Sequence, residues 1–112
     1  GIEHGSSPKM QRFWALLEGQ GAEFVLNGHE HFYEAFGPLD ATGREAADGM
    51  REFVVGTGGA RLYPIWNPVH LSRVRHARHG VLKLTLDAGS YSWQFIDTRG
   101  RVLDAGEAAC RP

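Results

Sequence analysis

The order of hydrophobic patterns along the chain predicts an α/β fold: one helix, a core strand, then antiparallel strands. Three observations carry that expectation. Met10, Phe13, Trp14 and Leu17 recur at helical spacing behind a Ser-Pro pair, Phe24-Val25-Leu26 is a short apolar run, and residues 81–95 alternate with a period of two. At 112 residues the chain is sized for a single domain with one modest core.

Each element has a local reason. The helix is expected to begin with Ser7 as its cap and Pro8 in its first turn, because serine accepts a free N–H and proline lacks the donor that would go unpaired. Gly19 and Gly21 supply the stop. The apolar stripe between them is expected to pack into the core. The strand entered through Ala22-Glu23 then runs over Phe24-Val25-Leu26-Asn27 to Gly28, and glycine suits the bend there.

Immediately afterwards come His29, Glu30 and His31. Side chains alternate along extended backbone, so the two imidazoles are expected on one side with Glu30 turned away. Neutral imidazole suits zinc, iron, manganese or nickel, which makes the pair a candidate half of a metal site at a strand's carboxyl end. The competing reading is a pair of surface histidines, and two donors do not by themselves close a four-coordinate shell.

Downstream, Gly37 to Gly43 is dense in glycine, proline and aspartate and reads as an exposed loop, with residues 44–50 continuing it. Arg51 to Gly56 reads as a second strand. The glycines that follow, Gly58 and Gly59, point to a tight turn or close backbone approach rather than a phosphate loop, since no Lys-Ser/Thr follows. Residues 61–79 look irregular, and His70, His76 and His79 within them are expected to be solvated or locally hydrogen-bonded.

The last third reads as an antiparallel meander. Leu82, Leu84 and Leu86 share one face, Ala88-Gly89-Ser90 turns the chain, and Tyr91, Trp93 and Phe95 form aromatic ribs before the turn at residues 98–101. Those ribs build a sheet face; an aromatic platform for carbohydrate is the alternative. Past Asp104 the small residues suggest a fraying tail.

Composition excludes several classes. The formal net charge is −1, without a long run of one sign, so nothing marks a nucleic-acid partner. No apolar stretch approaches the roughly 20 residues that span a bilayer. A lone Cys110 makes no internal disulfide, although it can pair with a cysteine outside this chain. The start at Gly1, without a methionine or a signal-peptide pattern, suggests a piece of something longer.

The combination of Leu26-Asn27-Gly28-His29-Glu30-His31, Tyr33-Glu34 and Phe53-Val54-Val55-Gly56-Thr57-Gly58-Gly59 resembles the C-terminal part of the calcineurin-like metallophosphoesterases. It is most similar to the branch of purple acid phosphatases and secreted alkaline phosphatases, and Gly80 to Leu86 with Tyr91-Ser92-Trp93 extends the resemblance over nearly the whole chain.

The resemblance implies that residues 1–112 are a single partial domain, the C-terminal portion of a metallophosphoesterase α/β sandwich. It implies hydrolysis of phosphate esters at two metal ions, zinc, iron or manganese, with a metal-bound hydroxide attacking phosphorus. His29 and His31 would each ligate one metal, and His4 would donate a hydrogen bond or proton near the leaving group. A secreted or periplasmic location is suggested on the same basis. The chain lacks the Asp-x-His, Gly-Asp-x-x-Asp and Gly-Asn-His segments of that family, and it has Ala35 where the family often has arginine. The implied partners are a phosphate-ester substrate and a missing N-terminal part of the same domain. Residues 1–112 alone are expected to be catalytically silent, weak in metal binding and prone to associate through uncovered apolar faces. A non-catalytic β-rich interaction or carbohydrate-binding module is the rival reading.

Overall fold

Local caps and turns set the helix and the hairpins, and aromatic burial joins them. The computed structural model describes residues 8–65 and 72–112. His4, Ser7 and His70, singled out from the sequence, lie outside the described residues.

Helix α1 spans Pro8–Gly19, where proline and the glycines predicted it. Its end is a Schellman motif: Ala22 N–H donates to the Leu17 carbonyl at 3.1 Å, with Gly21 at φ +82° in the left-handed region that favours glycine. The apolar stripe corrects the expectation of a buried face. Trp14 and Leu17 are half-buried, but Met10 and Phe13, with neighbouring Leu16, are more than half exposed. The helix docks along one flank, where Trp14 Nε1–H donates to the Leu39 carbonyl, so only that side is covered.

Among the described residues, seven strands form two sheets. They are β1 (Phe24–Asn27), β2 (Tyr33–Phe36), β3 (Arg51–Val55), β4 (Ser72–His76), β5 (Gly80–Leu86), β6 (Ser90–Asp97) and β7 (Val102–Ala109). The first sheet has the order β1-β3-β2-β4, with β1 parallel to β3 and the other pairs antiparallel. The second is the expected meander β5-β6-β7. The α/β class therefore holds, but β1 lies at an edge rather than in the core, and Leu26 is half exposed because β1 pairs only with β3.

The two sheets close over an aromatic core. Tyr33, Ala35 and Phe53 of the first sheet meet Tyr91, Trp93 and Phe95 of the second. Tyr33 stacks on Phe95 at 4.1 Å, and Phe53 meets Trp93 edge-on at 5.2 Å. The aromatic ribs are thus buried, which removes the carbohydrate platform that those three residues would have formed. Polar ties cross the same seam: the Tyr33 hydroxyl donates to Asp104 Oδ2 at 2.6 Å, and His76 Nε2–H donates to the Leu103 carbonyl.

Two segments differ from the sequence expectation. Residues 72–76 form strand β4 rather than irregular chain, because pairing with β2 supplies the ladder that local pattern does not announce. The stretch past Asp104 is ordered as β7 rather than fraying. Arg111 behind it clamps the helix end, donating to the carbonyls of Asp48, Glu18 and Ala22 while its backbone N–H donates to the Glu23 carboxylate.

Candidate metal-ligand turn

The residues between β1 and β2 are not extended. Glu30 N–H donates to the Gly28 carbonyl at 2.9 Å and Phe32 N–H to the Glu30 carbonyl at 2.8 Å, two successive tight turns. The strained position is His29, with φ 74°, and not Gly28, whose Cβ site is open. Histidine is among the few side chains enriched in that left-handed region. Strand alternation therefore does not orient the pair; the turn does. The outcome still matches the expectation in one respect, since Glu30 is buried at 5% exposure while His29 is exposed and His31 half-buried.

His31 is held in detail. Its Nδ1 lies 2.7 Å from the Arg61 carbonyl, which only accepts, so Nδ1 carries a proton and, in the neutral ring, Nε2 has the lone pair. The Tyr63 ring stacks on the imidazole at 4.2 Å, and Tyr63 N–H donates to the His31 carbonyl at 2.8 Å. A protonated Nδ1 fixed on a backbone carbonyl is the arrangement that orients a ligating histidine. On the other side Gly56 backs the turn. A Cβ there would sit 1.9 Å from the Glu30 carbonyl oxygen, so the close approach falls at Gly56, while Gly58 and Gly59, where the sequence placed it, have nothing within 4 Å of their Cβ sites and Gly59 instead takes φ +144°.

Arg61 and Tyr63 escaped sequence reasoning, because an aromatic and a carbonyl thirty residues from the motif leave no periodic signal. Behind the turn, Asn27 Nδ2–H donates to Glu52 Oε1 at 2.6 Å. Burial pushes the carboxyls of Glu52 and Glu34 above the usual range; the Asn27 bond opposes this at Glu52, and Arg75, with Nε 3.6 Å from Glu34, opposes it there. His79 Nε2–H donates to the Ala60 carbonyl, a partner 19 residues away rather than a local one. Ala35 is buried between the sheets.

His29 and His31 supply two imidazoles, fewer than a metal shell needs. Among the described residues, no group of three or more His, Cys, Asp or Glu side chains is placed to hold an ion. No helix among them is long and apolar enough to cross a membrane.

No family profile matches the chain, and no curated protein matches it. Among solved structures, a purple acid phosphatase isolated from yellow lupin (Lupinus luteus) seeds matches with a TM-score of 0.77 at 23% identity. The match covers 96% of this chain and 22% of that one, so this chain spans less than a quarter of its neighbour's length. The chain has the mixed α/β fold of the C-terminal portion of a purple acid phosphatase.

Proposed function

We propose that this chain is the C-terminal part of a dinuclear metal-dependent phosphoesterase and contributes two of its metal ligands, His29 and His31, one to each ion. The observation that carries the reading is the His31 ring, fixed through Nδ1 on the Arg61 carbonyl with Nε2 left as a donor, in a fold shared with a phosphatase. Zinc, iron or manganese suits imidazole. Paired ions supply charge neutralisation at the attacking and leaving oxygens and lower the pKa of water.

The chain's own work is positional. Gly56 and Tyr63 grip the turn from two sides, Glu30 is buried, His29 is exposed and His31 is half-buried against Tyr63. His4 is the candidate to donate a hydrogen bond or proton to the leaving group. The remaining ligands, and a cover for Met10, Phe13 and Leu16, come from an N-terminal part of the same domain. Export of the complete protein to the periplasm or the exterior accompanies this reading.

Phosphatase assays of the complete reading-frame product with added zinc, iron or manganese test it. Hydrolysis of a phosphomonoester is expected, and a product inert with every metal overturns the proposal. For residues 1–112 alone, calorimetry with zinc should show millimolar or undetectable binding, because two ligands do not offset the entropy of assembling a shell. Tight stoichiometric binding would contradict the two-donor reading.

A further inference from the structure

A cleft adjoins the segment that holds His31. Residues 60–63 supply the Arg61 carbonyl and Tyr63 ring to His31, and the same segment supplies the Ala60 carbonyl to His79 and the Leu62 side chain to the cleft. That cleft, about 470 Å³, opens between this segment, the β4–β5 turn and the β6–β7 turn. Arg78, Arg99 and Arg101 line it together with His79 and Thr98.

The cleft is built rather than incidental. Asp97, its side chain 4% exposed, accepts the backbone N–H groups of Arg99 and Arg101 and the Nε–H of Arg101, each bond 2.8–2.9 Å. The Asp97 carboxylate thereby pins the β6–β7 turn and neutralises Arg101. Among the described residues, the guanidinium groups of Arg78 and Arg99 have no ion-pair partner. Three arginines against one aspartate leave two net positive charges here, in a chain whose overall charge is −1. A concave cationic spot on an otherwise balanced surface fits a small anion, not an extended polyanion. The planar N–H fork of guanidinium matches a pair of phosphoryl oxygens.

We propose that this cleft binds a phosphoryl group, using Arg78 and Arg99, and so gives the site a preference for substrates that carry a second phosphoryl group beyond the one cleaved. The substrate role rests on the phosphoesterase reading; the oxyanion affinity does not.

Amide NMR spectra of the 112-residue chain, titrated with inorganic pyrophosphate at constant ionic strength, test the affinity without any activity. Saturable shifts at residues 78–79 and 98–101 are expected, and Arg78→Gln with Arg99→Gln should weaken them at least tenfold. Arg99→Lys, which keeps the charge and loses the fork, should retain part of the binding. Shifts reproduced by sodium chloride, or equal in the double variant, overturn the site.

In the complete protein the double variant should lower kcat/KM for a hexose bisphosphate about tenfold and leave a hexose monophosphate unchanged. Equal effects on both, or none, overturn the substrate role. A silent cleft in a protein that cleaves monophosphates defeats this inference alone. A binding cleft in a protein inert with every metal defeats the phosphoesterase reading and the substrate role, and the oxyanion site survives.

Discussion

Gly56→Ala is the sharpest probe of the turn. Its added carbon would lie 1.9 Å from the Glu30 carbonyl oxygen and 2.7 Å from the carbonyl carbon. An unstrained carbon–oxygen contact is about 3.3 Å, so the β3 end and the histidine turn must part by about 1.4 Å. Backbone stands on both sides, and no side-chain rotation relieves the clash. The bonds from Gly56 N–H to the Phe32 carbonyl at 3.2 Å and from Tyr63 N–H to the His31 carbonyl at 2.8 Å must stretch with it. Overpacking of this kind costs about 3 kcal/mol, the upper part of its ordinary range. For a chain of this size that lowers Tm by roughly 12 °C. Urea unfolding followed by tryptophan fluorescence measures the loss, since Trp93 sits in the core. Gly58→Ala is the control: its Cβ site has nothing within 4 Å, and its stability should stay within about 0.5 kcal/mol of the parent chain. If Gly56→Ala unfolds with the control, the turn is not clamped from this side and the account of His31 placement fails.

Tyr33→Phe removes the hydroxyl that donates to Asp104 at 2.6 Å and should cost about 1.5 kcal/mol in urea unfolding, because the bond crosses between sheets to a carboxylate. Burial, with the bond to Asp104 adding to it, pushes the Tyr33 phenol well above its usual range, so ultraviolet titration should show it ionising only as the fold is lost. Asp97 behaves oppositely: backbone N–H bonds, chiefly from Arg101, hold its carboxyl below the usual range. Its stabilisation is therefore present above the ordinary carboxylate pKa and lost as pH falls through the lowered value. Asp97→Asn should be less stable at neutral pH and converge with the parent in strong acid, as read from urea midpoints across that range. Arg111→Ala frees the carbonyls of Glu18, Ala22 and Asp48 and should cost about 2 kcal/mol, with faster limited proteolysis between α1 and β1.

What the sequence revealed was whatever it encodes locally. The helix ends where Pro8 and Gly21 say it should, since capping is settled within a few residues. The meander was legible because Leu82, Leu84, Tyr91, Trp93 and Phe95 alternate: the three aromatics are buried in one core and the two leucines pack against it. Strand β4 was not, because Ser-Arg-Val-Arg-His has a single apolar residue, Val74, and takes its structure from the β2 ladder. Strand β7 was hidden for a different reason. Its small residues look like a tail, yet Gly106 lies against the Trp93 ring, where an added Cβ would come within 2.3 Å, so smallness there is a packing requirement.

At the candidate site, residue type was legible and geometry was not. Two imidazoles with an acidic residue between them can face one way by strand alternation or by a turn, and the sequence does not distinguish the routes. The backbone between β1 and β2 is a turn rather than extended chain, and His29 rather than Gly28 carries the left-handed strain, on the order of 1 kcal/mol. Strain of that size persists only where surrounding contacts over-determine the backbone. Here they come from Gly56 on β3's exit and from Arg61 and Tyr63 beyond it, none of which belongs to the histidine motif. A match to Gly-His-x-His alone therefore identifies donors without fixing where they point. Gly56 and the Arg61-Leu62-Tyr63 segment hold the turn, and the same segment borders the arginine cleft.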